Sequence, residues 1–138
     1  MIPSLAARHS WFEATARKRV AGLLDAGSFV EILPPVESSP SPHLAKLDLP
    51  GAFDDGIVIG CGQLEKKPIF IAAQEGQFMG GAVGEIHGAK LVGLLKRAAR
   101  EKPAAVLLLI DSGGVRLHEA NAGLIAISEI MRAVLATR

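Results

Sequence analysis

Apolar and polar positions along this chain switch repeatedly between strand-like runs and helical spacing, and the sharpest switch lies at residues 104–122. An unbroken apolar run, Ala104 to Ile110, ends on Asp111-Ser112, passes through Gly113-Gly114, and gives way to apolar positions at helical spacing. That order predicts strand, tight turn, helix. Such a run, bounded by turn residues, is typical of a strand buried on both faces in a parallel sheet covered by helices.

The rest of the chain follows the same logic. Trp11 to Leu24 reads as a helix with Phe12, Ala16, Val20 and Leu23 on one face, Arg17, Lys18 and Arg19 elsewhere, and Gly27 as its C-cap. Ser28 to Leu33 reads as a short strand. Pro34 to Gly56 carries five prolines and three serines, so regular structure should be sparse there until the Asp54-Asp55-Gly56 turn signal. Ile57 to Leu64 and Pro68 to Ala73, separated by Glu65-Lys66-Lys67, predict a hairpin that leads into Gly80-Gly81.

A helix is expected over about 83–101, with Leu91, Leu94, Leu95 and Ala98 as its apolar stripe and Lys90, Arg97 and Glu101 as a polar one. Gly84 and Gly88, one turn apart, offer a flat surface for close packing, and Pro103 stops the helix. The last helix, about Asn121 to Thr137, aligns Leu124, Ile127, Met131 and Leu135. The chain is therefore α/β, a hairpin, glycine turn and helix followed by a strand, glycine turn and helix. The final apolar face and the sheet edge are expected to be covered by another chain or by further residues.

Composition narrows the function classes. At 138 residues, 49% hydrophobic and 21% charged, the chain fits one globular domain, residues 1–138. The 15 Lys and Arg nearly cancel the 14 Asp and Glu, and aromatics are 4%, which argues against nucleic acid as partner. No apolar run approaches bilayer-spanning length and the N-terminal residues lack a signal-peptide pattern, so no membrane association and a cytoplasmic location are expected. Cys61 alone leaves neither an internal disulfide nor a cysteine-rich zinc site, and reads as an inert core thiol.

Each Gly-Gly pair lies where a strand hands over to a helix. Two backbone N–H groups aimed at one point from two such turns would form an oxyanion hole, with fixed donors where a thioester oxygen gains charge. Gly80, Gly81, Gly113 and Gly114 are thus the candidate catalytic positions. Phe78, Met79, Ser112 and Val115, which flank them, are the candidate substrate-binding positions. A phosphate loop at Gly84 to Lys90 has the wrong spacing. Ser112 lacks the Gly-x-Ser-x-Gly elbow of a hydrolase nucleophile and reads instead as a turn or helix cap. His87, His118 and Glu119 do not match a zinc pattern, so no metal is expected, and the histidines read as solvated or turn-bonded. Glu85 and Glu119 read as capping or surface residues.

Three ordered segments resemble a known family. They are Leu23-Leu24-Asp25-x-Gly27-Ser28-Phe29-x-Glu31, Phe78-Met79-Gly80-Gly81-x-x-Gly84-x-x-x-Gly88-x-Lys90, and Ser112-Gly113-Gly114-x-Arg116-x-x-Glu119. Together they look like the acyl-CoA carboxyltransferase half-module, which has a crotonase-like fold, a spiral of ββα units. The wording of residues 75–90 and 111–121 is most similar to the malonate decarboxylase β-subunit branch of that family.

The resemblance implies that this chain holds an incomplete spiral, the N-terminal half of a longer subunit. It implies decarboxylation of a malonyl thioester, borne on the phosphopantetheine-type (CoA-derived) arm of an acyl carrier protein, to the acetyl thioester and CO2. A γ subunit is the implied partner and a homo-oligomer is possible, while biotin dependence is undetermined. The single cysteine argues against the zinc-bearing acetyl-CoA carboxylase relative. Carboxyltransferase action on acyl-CoA with biotin, another crotonase-like acyl-CoA enzyme, and a non-catalytic scaffold are the alternatives.

Overall fold

A computed structural model of the chain describes residues 10–34, 42–47 and 55–138. Most of the proline-rich stretch, including Asp54, lies outside the described residues, and the piece of it that is described is a short helix, α2 (Pro42–Lys46). The sheet has four strands in the order β1 (Val30–Ile32), β2 (Ile57–Leu64), β3 (Lys67–Gln74) and β4 (Ala105–Leu109). The first three are antiparallel, and β4 runs parallel to β3. A parallel neighbour needs a long crossover, and α3 (Glu85–Glu101) supplies it.

The hairpin turns on Glu65-Lys66, both with positive φ (50° and 63°), the backbone sense that matches strand twist in a two-residue loop. Non-glycine residues resist that conformation. The Asp25 carboxylate offsets the cost by accepting the N–H groups of Glu65 and Lys66 at 3.0 and 2.8 Å.

Alternation along the strands gives the sheet two apolar faces. Val58, Ile69, Ile71 and Ala73 meet Ala16, Val20 and Leu24 on one side, where helix α1 (Ala16–Leu23) lies. Ile57, Ile59, Phe70 and Ala72 meet Leu91, Leu94, Leu95 and Ala98 of α3 on the other. Helix α4 (Asn121–Thr137) packs against α3. The expected stripe of α3 and the bounds of α4 agree with the structure.

Several expectations need correction. The first helix is broken: a 3-10 turn at Trp11–Glu13 precedes Thr15, whose hydroxyl accepts the Lys18 N–H and so starts α1 afresh. Phe12 therefore leaves the apolar face and is 87% exposed. Leu24 is the C-cap, and Gly27, at φ +72°, shapes the following turn. Of the basic residues expected away from the apolar face, Arg17 pairs with Glu31 at 2.6 Å and Arg19 is buried. The first strand shortens to Val30–Ile32, and α3 begins at Glu85 rather than 83.

Lys90 is buried rather than solvated, with Nζ donating to the Ile57 carbonyl at 2.9 Å. The expected double burial of the 104–110 strand is not seen among the described residues, where β4 lies at the edge of the sheet and its residues are exposed or half-buried. Cys61 is half-buried on β2. On α4 the packed positions are Gly123, Ala126 and Ala133, while Leu124, Met131 and Leu135 stay more than half exposed. Small residues win that face because Gly88 of α3 sits directly against Ala126, a separation that long side chains would prevent.

Candidate functional site

Both glycine turns lie beyond the carboxyl ends of β3 and β4, which run parallel and side by side. After β3, Met79, Gly80 and Gly81 adopt three successive left-handed conformations, with φ of 48°, 64° and 71°. After β4, Gly114 takes φ 104°. The turns touch. Gly113 N–H donates to Gly80 O at 2.8 Å, Val83 N–H to Gly114 O at 2.8 Å, and Arg116 N–H to Val83 O at 2.9 Å. A β-carbon at Gly81 would run into the Asp111 carbonyl, and one at Gly113 would lie 2.7 Å from Gly80 O. The two positions favour glycine because the backbone of the opposite turn, at Asp111 and at Gly80, occupies the space a side chain would need.

The four glycines divide by environment. Gly81 and Gly113 are committed to the contact, and the Gly81 N–H also donates to Phe78 O at 2.9 Å. Gly80, Gly113 and Gly114 are exposed and Gly81 is buried, and a β-carbon on Gly80 or Gly114 would meet open space. The Gly114 N–H donates to Ser112 Oγ at 3.1 Å, so Ser112 caps its own turn, as its sequence position suggests, and not the following helix. Of the other flanking residues, Phe78 stacks beside Arg116 with 5.2 Å from guanidinium carbon to ring centroid. Met79 is half-buried, and Val115 is half-buried in a parallel bridge to Val83.

The second turn is tied to the end of β3 by side chains. Gln74 Oε1 accepts the Asp111 N–H at 2.8 Å, while Arg19 donates to the Gln74 carbonyl and lies 3.4 Å from the Asp111 carboxylate. The Glu75 carboxylate accepts the N–H of Ala16 at 2.9 Å and of Gln77 at 3.2 Å, which docks α1 under the loop.

Behind the turns lies a buried ionic cluster. Arg116 Nη1 is 2.7 Å from Asp55 Oδ1 and 3.3 Å from Glu119 Oε1, and all three side chains are fully buried. The remaining carboxylate oxygens cap α3: Glu119 Oε2 accepts the Glu85 N–H at 2.6 Å, and Asp55 Oδ2 accepts the His87 N–H at 2.7 Å. The positive end of α3 is thereby filled from within the protein. Burial raises the Asp55 carboxyl above its ordinary value, with Arg116 pulling the other way.

His87 is fully buried, which corrects the expectation of a solvated or turn-bonded ring. Burial and the nearby Arg116 and Lys90 charges push it down to about 3, so the ring is neutral. Since Gln74 Oε1 is taken by Asp111, its amide nitrogen donates to His87 Nε2 at 3.3 Å, which assigns the ring proton to Nδ1. His118 is exposed, apart from this cluster. Among the described residues no three His, Cys, Asp or Glu side chains gather as a metal site.

Sequence reasoning gave no site role to Asp55, Gln74 or Arg19, and named Arg116 only as a position of the third family-like segment. For His87 a signal existed, because His87, Leu91, Leu94 and Ala98 share one helical face. For Asp55 and Arg116, 61 residues apart, no local pattern marks burial.

The model of the carboxyl transferase domain matches residues 8–136. The chain belongs to the carboxyl transferase domain family. Among family members it is 45% identical over 136 residues to a malonyl-S-ACP:biotin-protein carboxyltransferase of Malonomonas rubra, covering 88% of this chain and 43% of that protein. It is similar to a solved Pseudomonas malonate decarboxylase hetero-tetramer in complex with malonate, with TM-score 0.88 and 45% identity over 96% of this chain and 50% of that one. A transcarboxylase 12S structure with methylmalonyl-coenzyme A and methylmalonic acid bound gives TM-score 0.80 at 29% identity, covering 94% of this chain and 25% of that one.

The chain thus spans half or less of the length of these relatives. Within that span the carboxyl transferase domain has the crotonase-like α/β architecture that the motifs imply. No described helix is long and apolar enough to cross a membrane.

Proposed function

We propose that this chain is part of a subunit that decarboxylates a malonyl thioester on an acyl carrier protein, using backbone amides of the two glycine turns. The observation that carries the reading is the contact between the turns, Gly113 N–H to Gly80 O, which leaves Gly80, Gly113 and Gly114 exposed at the joined tips with Gly81 buried below. The likeness to the Pseudomonas malonate decarboxylase supports the choice of substrate.

In the reaction the bond between the α-carbon and the carboxylate breaks, and its electron pair moves onto the thioester as an enolate while CO2 leaves. A proton then adds at carbon to give the acetyl thioester. Negative charge grows on the thioester oxygen, so fixed donors there stabilise the transition state more than the ground state. The Gly80 and Gly114 amides fill that role, the second by exchanging Ser112 Oγ for the substrate oxygen. No side-chain base is needed for the bond-breaking step.

In this reading residues 1–138 form one carboxyltransferase-like domain, the N-terminal half of a longer subunit whose remainder completes the spiral. A γ subunit and an acyl carrier protein with its phosphopantetheine-type arm are its partners, in a cytoplasmic oligomer. A second reading, transfer of the carboxyl group to a biotin protein, is favoured by the likeness to the Malonomonas malonyl-S-ACP:biotin-protein carboxyltransferase.

The deciding experiment mixes the intact subunit with its neighbouring subunit and follows CO2 release from malonyl-acyl carrier protein, with and without a biotinylated acceptor and with avidin. Release without biotin supports decarboxylation, whereas conversion to the acetyl thioester only with the acceptor, with the carboxyl group retained on biotin and the reaction blocked by avidin, supports transfer. Thioester binding with no reaction in either case rules out both.

A further inference from the structure

We infer that Arg116 is a positioning residue that sets the separation of the two glycine turns; the inference deepens the proposed function and rests on it. The side chain and the backbone of this one residue reach both sides of the first turn. Nη2 donates to the carbonyl of Ala82, directly after Gly80-Gly81, at 3.1 Å, and the guanidinium lies over the ring of Phe78, just before them. The Arg116 N–H meanwhile donates to Val83 O, and Arg116 itself follows Gly114 by two residues. A shift of this guanidinium therefore moves the first turn relative to the second.

The guanidinium is itself held in place. Asp55 takes Nη1 at 2.7 Å, the Asp55 carbonyl takes Nη2 at 3.4 Å, and Glu119 takes Nη1 at 3.3 Å. Both carboxylates are anchored in turn on the first amides of α3, so the clamp is referenced to the helix that separates the two turns in sequence. Gly84 completes the fit, since a β-carbon there would strike both Arg116 Nη1 and Glu119 Oε2. Nε is buried with no acceptor among the described residues, a desolvation cost that an apolar side chain would avoid. Lysine keeps the charge but presents its donors from one point, so it cannot reach Asp55, Glu119 and Ala82 together.

The test uses the intact subunit assembled with its neighbouring subunit. Arg116→Lys and Glu119→Gln are compared with Leu95→Ala, a buried change on α3 that touches neither turn and lowers the melting temperature. Positioning errors of ångström scale cost rate more than binding, so Arg116→Lys should lower kcat by about tenfold or more with KM changed less than about threefold. Hydrogen exchange should accelerate together in peptides covering residues 78–84 and 111–116. Leu95→Ala should leave both kcat and that exchange near wild type.

Unchanged kcat and protection in Arg116→Lys would overturn the inference, as would a loss of kcat in Leu95→Ala that simply tracks melting temperature. If Arg116→Lys fails to fold, Glu119→Gln is judged by the same criteria. Absence of CO2 release from the wild-type assembly would sink the decarboxylase reading alone, because joint exchange at the two turns still decides whether the clamp exists.

Discussion

Gly113 donates its N–H to the carbonyl of Gly80 at 2.8 Å, so two turns 33 positions apart in sequence share a hydrogen bond at their tips. The bond forms only because Gly81 and Gly113 carry no side chain at the point of contact. Gly81→Val should therefore wedge the turns apart. We expect decarboxylation to be abolished, with a fall in melting temperature on top. Gly114→Val meets open space and should fold, at a strain cost of about 1–2 kcal/mol for its left-handed φ. It too should abolish turnover, by covering the donor. Steady-state CO2 release and thermal melts on the two variants separate the effects; full activity in Gly114→Val would remove that turn from the site.

Ser112 tests the choice between backbone and side-chain chemistry. Its Oγ accepts the Gly114 N–H at 3.1 Å, which is the work of a turn cap. Ser112→Ala should keep measurable activity, because the amide it frees is the group proposed to meet the substrate oxygen. Loss of all turnover in Ser112→Ala, with the fold intact, would favour a serine nucleophile instead.

The strand, turn and helix order and both glycine pairs were legible in the sequence, since each depends on residues a few positions apart. Leu91, Leu94, Leu95 and Ala98 announced the core face of α3 by spacing alone. The ionic cluster was not legible. Asp55 and Arg116 come from distant loops, and a charged residue in a loop gives no local sign that a partner awaits it. Lys90 misled for the same reason: its charge suggested solvent, whereas the Ile57 carbonyl supplies its acceptor inside. On α4 the large residues drew the apolar line, but Gly88 and Ala126 decide the contact because helices approach closely where side chains are small. Leu124, Met131 and Leu135 are left exposed as a result.

That close approach carries its own prediction. A β-carbon at Gly88 would lie 2.5 Å from Ala126 Cβ, whereas one at Gly93, on the exposed side of the same helix, would meet nothing. Replacing a helical glycine by alanine gains about 1 kcal/mol of propensity at either site. At Gly93 nothing opposes that gain, so Gly93→Ala should stabilise by about 0.5–1 kcal/mol. At Gly88 overpacking of about 1–3 kcal/mol opposes it, so Gly88→Ala should destabilise or at best break even. Chemical denaturation of both variants checks the opposite signs; equal stabilisation would mean that the two helices are free to separate.

His87 predicts how stability depends on pH. Burial lowers its folded-state value from 6.5 to about 3, so between those limits the unfolded chain binds a proton that the native protein refuses. Stability is then fully present above about pH 6.5 and is lost as pH falls towards 3, with a slope approaching 1.4 kcal/mol per pH unit inside the window. Asp55 acts with the opposite sign. Its raised folded value lets the native state hold a proton that the unfolded chain releases above 3.8, so its contribution grows as pH falls through that range. The comparison that isolates the histidine is wild type against His87→Gln, because Asp55 stays in both and Gln keeps an acceptor for Gln74. Urea denaturation from pH 7 to pH 4 should show wild type losing stability faster on acidification than the variant. Parallel curves would mean that His87 is protonated in the native state, with water reaching the cluster behind the glycine turns.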